Sequence, residues 1–137
     1  MLKVILDTNI VVSHLISKSS NIGKVIDLAK NNQITLISSI SCWIEIKNTI
    51  TKDKIKSKLG NHTSSFLAQY KYACEFIIPT STVIFNRDPK DAKFLELARD
   101  SNANYIVSGD KDLLEFGVFE NTKIITLGGF LELYHLN

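Results

Sequence analysis

Short apolar runs alternate along the chain with longer segments in which apolar residues recur every three or four positions. The runs at residues 2–6, 34–37, 76–78, 105–107 and 123–126 have the length and composition of buried strands. Residues 9–16 and 21–30 read as helices, the second through its stripe of Ile22, Val25, Ile26 and Ala29. Ser38-Ser39 offers a cap for a helix carrying Cys42, Trp43, Ile46 and Ile50 on one face. Further helices are expected at residues 63–74, 111–116 and 130–136. The clearest opens at Asp88-Pro89, with Asp88 as N-cap, Pro89 at the first helical position, and Ala92, Leu95 and Ala98 turned inward. Strands alternating with helices imply right-handed crossovers, hence an α/β fold: a three-layer α/β/α sandwich around a parallel sheet of about four to five strands. Without a repeat, a low-complexity tract or a Pro/Gly-rich linker, one domain over residues 1–137 is expected.

In a parallel sheet the carboxyl ends of the strands share one edge, where open α/β folds bind ligands. Asp7 ends the first strand, and Asp110 follows the 105–107 strand through Ser108-Gly109, with Gly109 expected to allow a sharp turn. Asp91 sits in the first turn of its helix, one and two turns from Leu95 and Ala98, and so leans inward. Glu45 lies near the edge of the Trp43 helix's apolar face, and Asp112, two residues past Asp110, is a fifth candidate. Each acid also has a structural reading. Asp7, Asp91, Asp110 and Asp112 could cap helices or favour their dipoles, and Glu45 could be a half-buried surface acid. Convergence of strand ends and helix starts favours a shared site. Clustered carboxylates raise one another's pKa unless a cation compensates. An oxygen-only set selects a hard ion, Mg²⁺ or Mn²⁺, which can activate water against a phosphodiester.

Composition adds a charge argument. The net charge is +2, from 16 basic and 14 acidic residues. With four acids gathered in one site, the remaining surface is distinctly basic, as suits a polyanionic substrate. Lys52, Lys54, Lys56 and Lys58, with Lys47 and Lys71, are candidates for an RNA-facing rim, although alternating lysines also occur on ordinary solvated helices. Asn9 could orient a metal-bound water or cap a helix. Trp43, Phe66 and Tyr70 read most simply as core, with Tyr70 or Tyr72 able to stack on a base if exposed. His14, His62 and His135 show no catalytic spacing. Cys42 and Cys74 fit neither a zinc site nor a disulfide framework and read as reduced thiols in a cytoplasmic protein. The longest uncharged stretch, residues 31–44, is too short and too polar to span a membrane.

These residues resemble the PIN-domain family, in particular the small prokaryotic PIN proteins of toxin–antitoxin pairs (VapC-like toxins). The likeness runs over nearly the full length: Val4 to Ile10 resembles the family's opening strand with its first acid, Asp7. Glu45 takes the place of the second acid, Asp91 within Asp88 to Ala98 that of the third, and Asp110 within Ile106 to Leu114 that of the fourth. Ser108 stands where threonine is common and keeps the hydroxyl. Lys93 stands where a small polar residue is frequent, and a cation there could contact phosphate or dampen metal binding. The resemblance implies an Mg²⁺- or Mn²⁺-dependent endoribonuclease acting on RNA, restrained by a cognate antitoxin and often a homodimer. A PIN-like RNA- or protein-binding module with silent acids is the competing reading. An aspartyl-phosphate phosphatase is disfavoured by Asn9, where a second aspartate would stand. A response-regulator receiver is disfavoured by the serines after Ile37.

Overall fold

Six strands form the sheet of the computed structural model, which describes residues 1–17 and 21–134. They are β1 (Leu2–Leu6), β2 (Ile34–Ser38), β3 (Cys74–Phe76), β4 (Tyr105–Val107), β5 (Val118–Phe119) and β6 (Thr122–Ile125), in the order β3-β2-β1-β4-β6-β5. All neighbouring pairs are parallel except β5 with β6. The helices are α1 (Thr8–Ser17), α2 (Asn21–Lys30), α3 (Ile40–Ile50), α4 (Asp53–Lys56), α5 (Thr63–Ala73), α6 (Ala92–Ser101), α7 (Lys111–Phe116) and α8 (Leu127–Leu133).

Alternation along the strands separates two cores. Val4, Leu6, Leu36 and Val107 point to one face, where they meet α1, α2, α5 and α8 through Leu15, Val25, Tyr70 and Phe130. Ile5, Ile37, Ile106 and Ile124 point to the other and pack with Phe94, Leu95, Leu97 and Leu113 of α6 and α7. This is the three-layer α/β arrangement expected from the sequence. Helix α3 straddles the sheet edge, with Ile46 in the first core and Cys42 in the second. The strand order reverses beside β1: the chain moves outward through β2 and β3, then crosses back to lay β4 on β1's other side. That junction is the topological switch point, where the helices on the two faces diverge and leave a crevice.

Several boundaries differ from the sequence reading. The third strand is Cys74–Phe76, shifted from residues 76–78, although Ile77 N–H still donates to Ser38 O (3.0 Å) beyond its end. Strand β5 was not expected; it forms a two-residue hairpin arm on β6 at the sheet's edge. The basic stretch at residues 52–58 contains the short helix α4. The helix expected from Asp88 begins as a 3₁₀ turn, Pro89–Asp91, before α6. The last helix starts earlier than expected, at Leu127; residues 135–136 of the expected helix, and His135, lie outside the described residues. Cys42 and Cys74 are both free thiols. No helix among the described residues is long and apolar enough to cross a membrane.

Leu97 has no solvent exposure and anchors α6 on the sheet. Leu97→Ala is expected to lower stability by about 3 kcal/mol, through lost burial and the cavity left behind. A denaturant titration measures it; a loss below about 1 kcal/mol would contradict the packing described.

Candidate metal centre

β1 and β4 end side by side, and the acids there are held by a chain of hydrogen bonds. Asp7, 1% exposed, accepts the Ser108 hydroxyl on Oδ2 (2.7 Å) and the Asn9 N–H on Oδ1 (3.1 Å). Ser108 is fully buried, and its Oγ in turn accepts the Asp110 N–H (2.9 Å). A hydroxyl has one proton and two lone pairs, so donating to Asp7 leaves it free to accept from Asp110. Asp110 caps α7, its Oδ1 accepting the Leu113 N–H (3.1 Å). Gly109 is not in the left-handed region, and a Cβ there would meet only Ile10 Cδ1 at 3.6 Å. The turn expected of Gly109 is therefore not what places Asp110; the Ser108 hydroxyl does that.

Asp91 comes from the 3₁₀ turn before α6. It is 8% exposed, and its Oδ2 has no hydrogen-bond partner. One oxygen each from Asp88, Asp91 and Asp110 lie within 4.8 Å of one another. Asp88 was read from the sequence only as a cap, which it is, accepting the Lys90 N–H on Oδ1 (3.1 Å). Its three-residue spacing from Asp91 was the available signal for a second role, since such positions share a helix face.

The acids open onto a cleft of about 560 Å³ lined by Asp7, Asn9, Glu45, Asp88, Asp91 and Asp110 together with Lys52, Lys90 and Lys93. Helix α3 forms one wall through Ser41, Ile44, Glu45, Asn48 and Thr49, continued by Lys52. Glu45 stands apart from the three-aspartate group, with Oε2 paired to Lys93 Nζ at 2.5 Å.

Asp112 does not join this site. Two positions past Asp110 on α7, it faces away and pairs with Arg87 Nε at 3.5 Å; Arg87 also pairs with Glu115. Among the lysines expected at an RNA-facing rim, Lys52 lines the cleft, while Lys54, Lys56 and Lys58 are exposed on and after α4 without lining it. Lys47 and Lys71 sit over the Trp43 ring, at 6.0 and 5.5 Å from its centroid. Tyr70 is buried against Trp43 and Phe66 and cannot stack on a base. Tyr72 is 91% exposed but lines a separate hollow with Lys30, Ala68 and Gln69.

The electrostatics follow from crowding. Burial pushes the Asp7 carboxyl above its ordinary range, partly offset by the Ser108 and Asn9 hydrogen bonds, with Asp110 and Glu45 pushing it further. Asp91 is pushed up to about 7, first by burial and then by the charges of Asp110, Asp7 and Asp88, with Lys93 acting in the opposite direction. An all-oxygen cluster that includes Asp91, whose buried Oδ2 has no partner, fits a hard divalent cation, which would satisfy free lone pairs and offset the repulsion.

Residues 3–112 match the PIN-domain family model, and the chain belongs to that family. It is 33% identical over 115 residues to an uncharacterized protein of Methanocaldococcus jannaschii, spanning 82% of this chain and 74% of the relative. No solved structure gives a significant match. PIN domains are typically nucleases and generally use a divalent metal.

Asp91 yields a pH prediction for the metal-free protein. Its folded pKa of about 7 lies above the ordinary 3.8, so between those values the native state holds a proton that the unfolded chain has released. Stability should therefore fall as pH rises through that window. In EDTA, Asp91→Asn should be more stable than the wild type at pH 8, by on the order of 1–2 kcal/mol, with the difference closing toward pH 4. Denaturant titrations across pH measure this, and a variant less stable than the wild type at pH 8 would contradict it.

Proposed function

We propose that this PIN domain is an Mg²⁺- or Mn²⁺-dependent endoribonuclease, the toxin of a toxin–antitoxin pair. The observation that carries the nuclease reading is the Asp88, Asp91 and Asp110 oxygen group at the switch point, in which Asp91 also keeps a buried Oδ2 without a partner. The RNA and toxin parts rest on the likeness to VapC-like proteins. In this reading the cation, when bound by these aspartates, lowers the pKa of an attacking water and offsets charge on the phosphate. The remaining work falls to the chain itself. Ser108 and Asn9 hold Asp7 in place, and the Ser108 hydroxyl fixes the start of α7, so Asp110 is presented without reorganisation. Lys52 and Lys90 at the cleft draw in the phosphate backbone. The Asn9 carboxamide, exposed at the cleft, offers a donor to a phosphate oxygen. The partners are RNA, a cognate antitoxin that blocks the cleft in the cytoplasm, and a second copy of the chain.

Cleavage of a mixed RNA pool should require Mg²⁺ or Mn²⁺ and stop in EDTA. Asp7→Asn and Asp110→Asn should each reduce it by about a hundredfold or more. Cleavage that persists in both variants or under full chelation excludes the mechanism. Induced expression in a host without the antitoxin should arrest growth, and Asp7→Asn should relieve the arrest. Unaffected growth with intact RNA cleavage would remove the toxin role alone.

A further inference from the structure

Lys93 is held in the cleft more firmly than an ordinary surface lysine. It lies in the first turn of α6, two residues past Asp91, and its side chain is only 18% exposed. Its ammonium lies 2.5 Å from Glu45 Oε2 on α3, donates to the Lys90 carbonyl, and sits 5.0 Å from the Phe94 ring centroid. Lys52 and Lys90, which line the same cleft, make no ion pair among the described residues.

The five cleft carboxylates divide by what their oxygens meet. Both Asp7 oxygens accept hydrogen bonds, from Ser108 and Asn9. Asp88, Asp91 and Asp110 share the three-oxygen group. Glu45 is outside that group and carries the lysine. A two-metal hydrolase needs carboxylates for both ions, and here the acids outside the three-aspartate group are Glu45 and Asp7, whose oxygens each keep a lone pair beside the hydrogen bond they accept. An ammonium already on the Glu45 oxygen competes for the same lone pairs and repels a second divalent ion.

We propose that Lys93 replaces a second metal ion. By neutralising Glu45 it leaves the cleft with one divalent-cation site, on Asp88, Asp91 and Asp110, and it acts as a positioning residue for Glu45 on the opposite wall. This rests on the metal-dependent reading above, but concerns how many cations the site holds rather than what it cleaves.

Mn²⁺ binding to the full chain, followed by calorimetric titration and by electron paramagnetic resonance of free Mn²⁺, reads the count directly. The wild type and Lys93→Arg should bind one Mn²⁺ per chain. Lys93→Met should bind two, and Lys93→Met/Glu45→Gln should return to one, with thermal melts confirming that each variant is folded. Glu45→Gln alone, which leaves Lys93 in place, should still bind one. Two ions in the wild type, one in folded Lys93→Met, or loss of binding in Glu45→Gln would each overturn the proposal. A wild type that binds no Mn²⁺ would overturn it together with the metal-dependent reading. The expected counts without RNA cleavage would leave it standing and remove only the nuclease reading.

Discussion

Asp7 and Ser108 meet where β1 and β4 end side by side, and both side chains are almost fully sealed from water. A carboxyl buried there would be costly unless hydrogen-bonded, and the Ser108 hydroxyl and the Asn9 N–H supply those bonds. The contact joins residues 101 positions apart in sequence. It therefore depends on the crossover that brings β4 alongside β1, and it carries that register into the site by way of Ser108 and Asp110. Of the other acids in the cleft, Asp110 is tied to this pair directly, through its N–H to the Ser108 hydroxyl.

Around that pair the fold gathers more negative charge than it neutralises. Asp91 keeps a proton to about pH 7 because burial and three neighbouring aspartates all oppose its ionisation. The strain is confined to one wall. Across the cleft, Glu45 is already balanced by Lys93, and Lys52 and Lys90 add positive charge along the cleft. The result is a negative pit with a basic margin. A polyanion approaching it is attracted to the margin and repelled by the pit until a cation occupies it.

The elements that position this site were largely legible in the sequence because they depend on local signals. β1 ends where Asp7 breaks an apolar run, and α7 starts just after Asp110, whose side chain caps it. What escaped depends on tertiary context. β5 has two residues, and its hairpin turn places Glu120 at φ 53, a conformation that glutamate does not advertise. α5 runs into β3 with no glycine or proline between them, so that boundary left no mark. Asp88 was hidden by its capping role, although a carboxylate has two oxygens and can both cap and join a cluster. Asp112 misled because closeness in sequence to Asp110 is not closeness on a helix: residues two apart point away from each other, and Arg87 was there to meet it.

Burial orders the acids and, with it, what each can contribute. Asp7 is the deepest, and both its oxygens accept hydrogen bonds, so its first contribution is to hold the frame. Asp91 is nearly as buried but leaves Oδ2 without a partner, and it lines the cleft where Asp88 and Asp110 also present oxygens. Glu45 is a third exposed and matched by an ammonium. Of the acids that group together, Asp91 is the one whose desolvation has weakened competition from water while no hydrogen bond has claimed its Oδ2. A fold that simply tolerated surface acids at a sheet edge would let each turn outward to water; here Asp91 is kept inward and unsatisfied, which is the arrangement a bound cation would relieve.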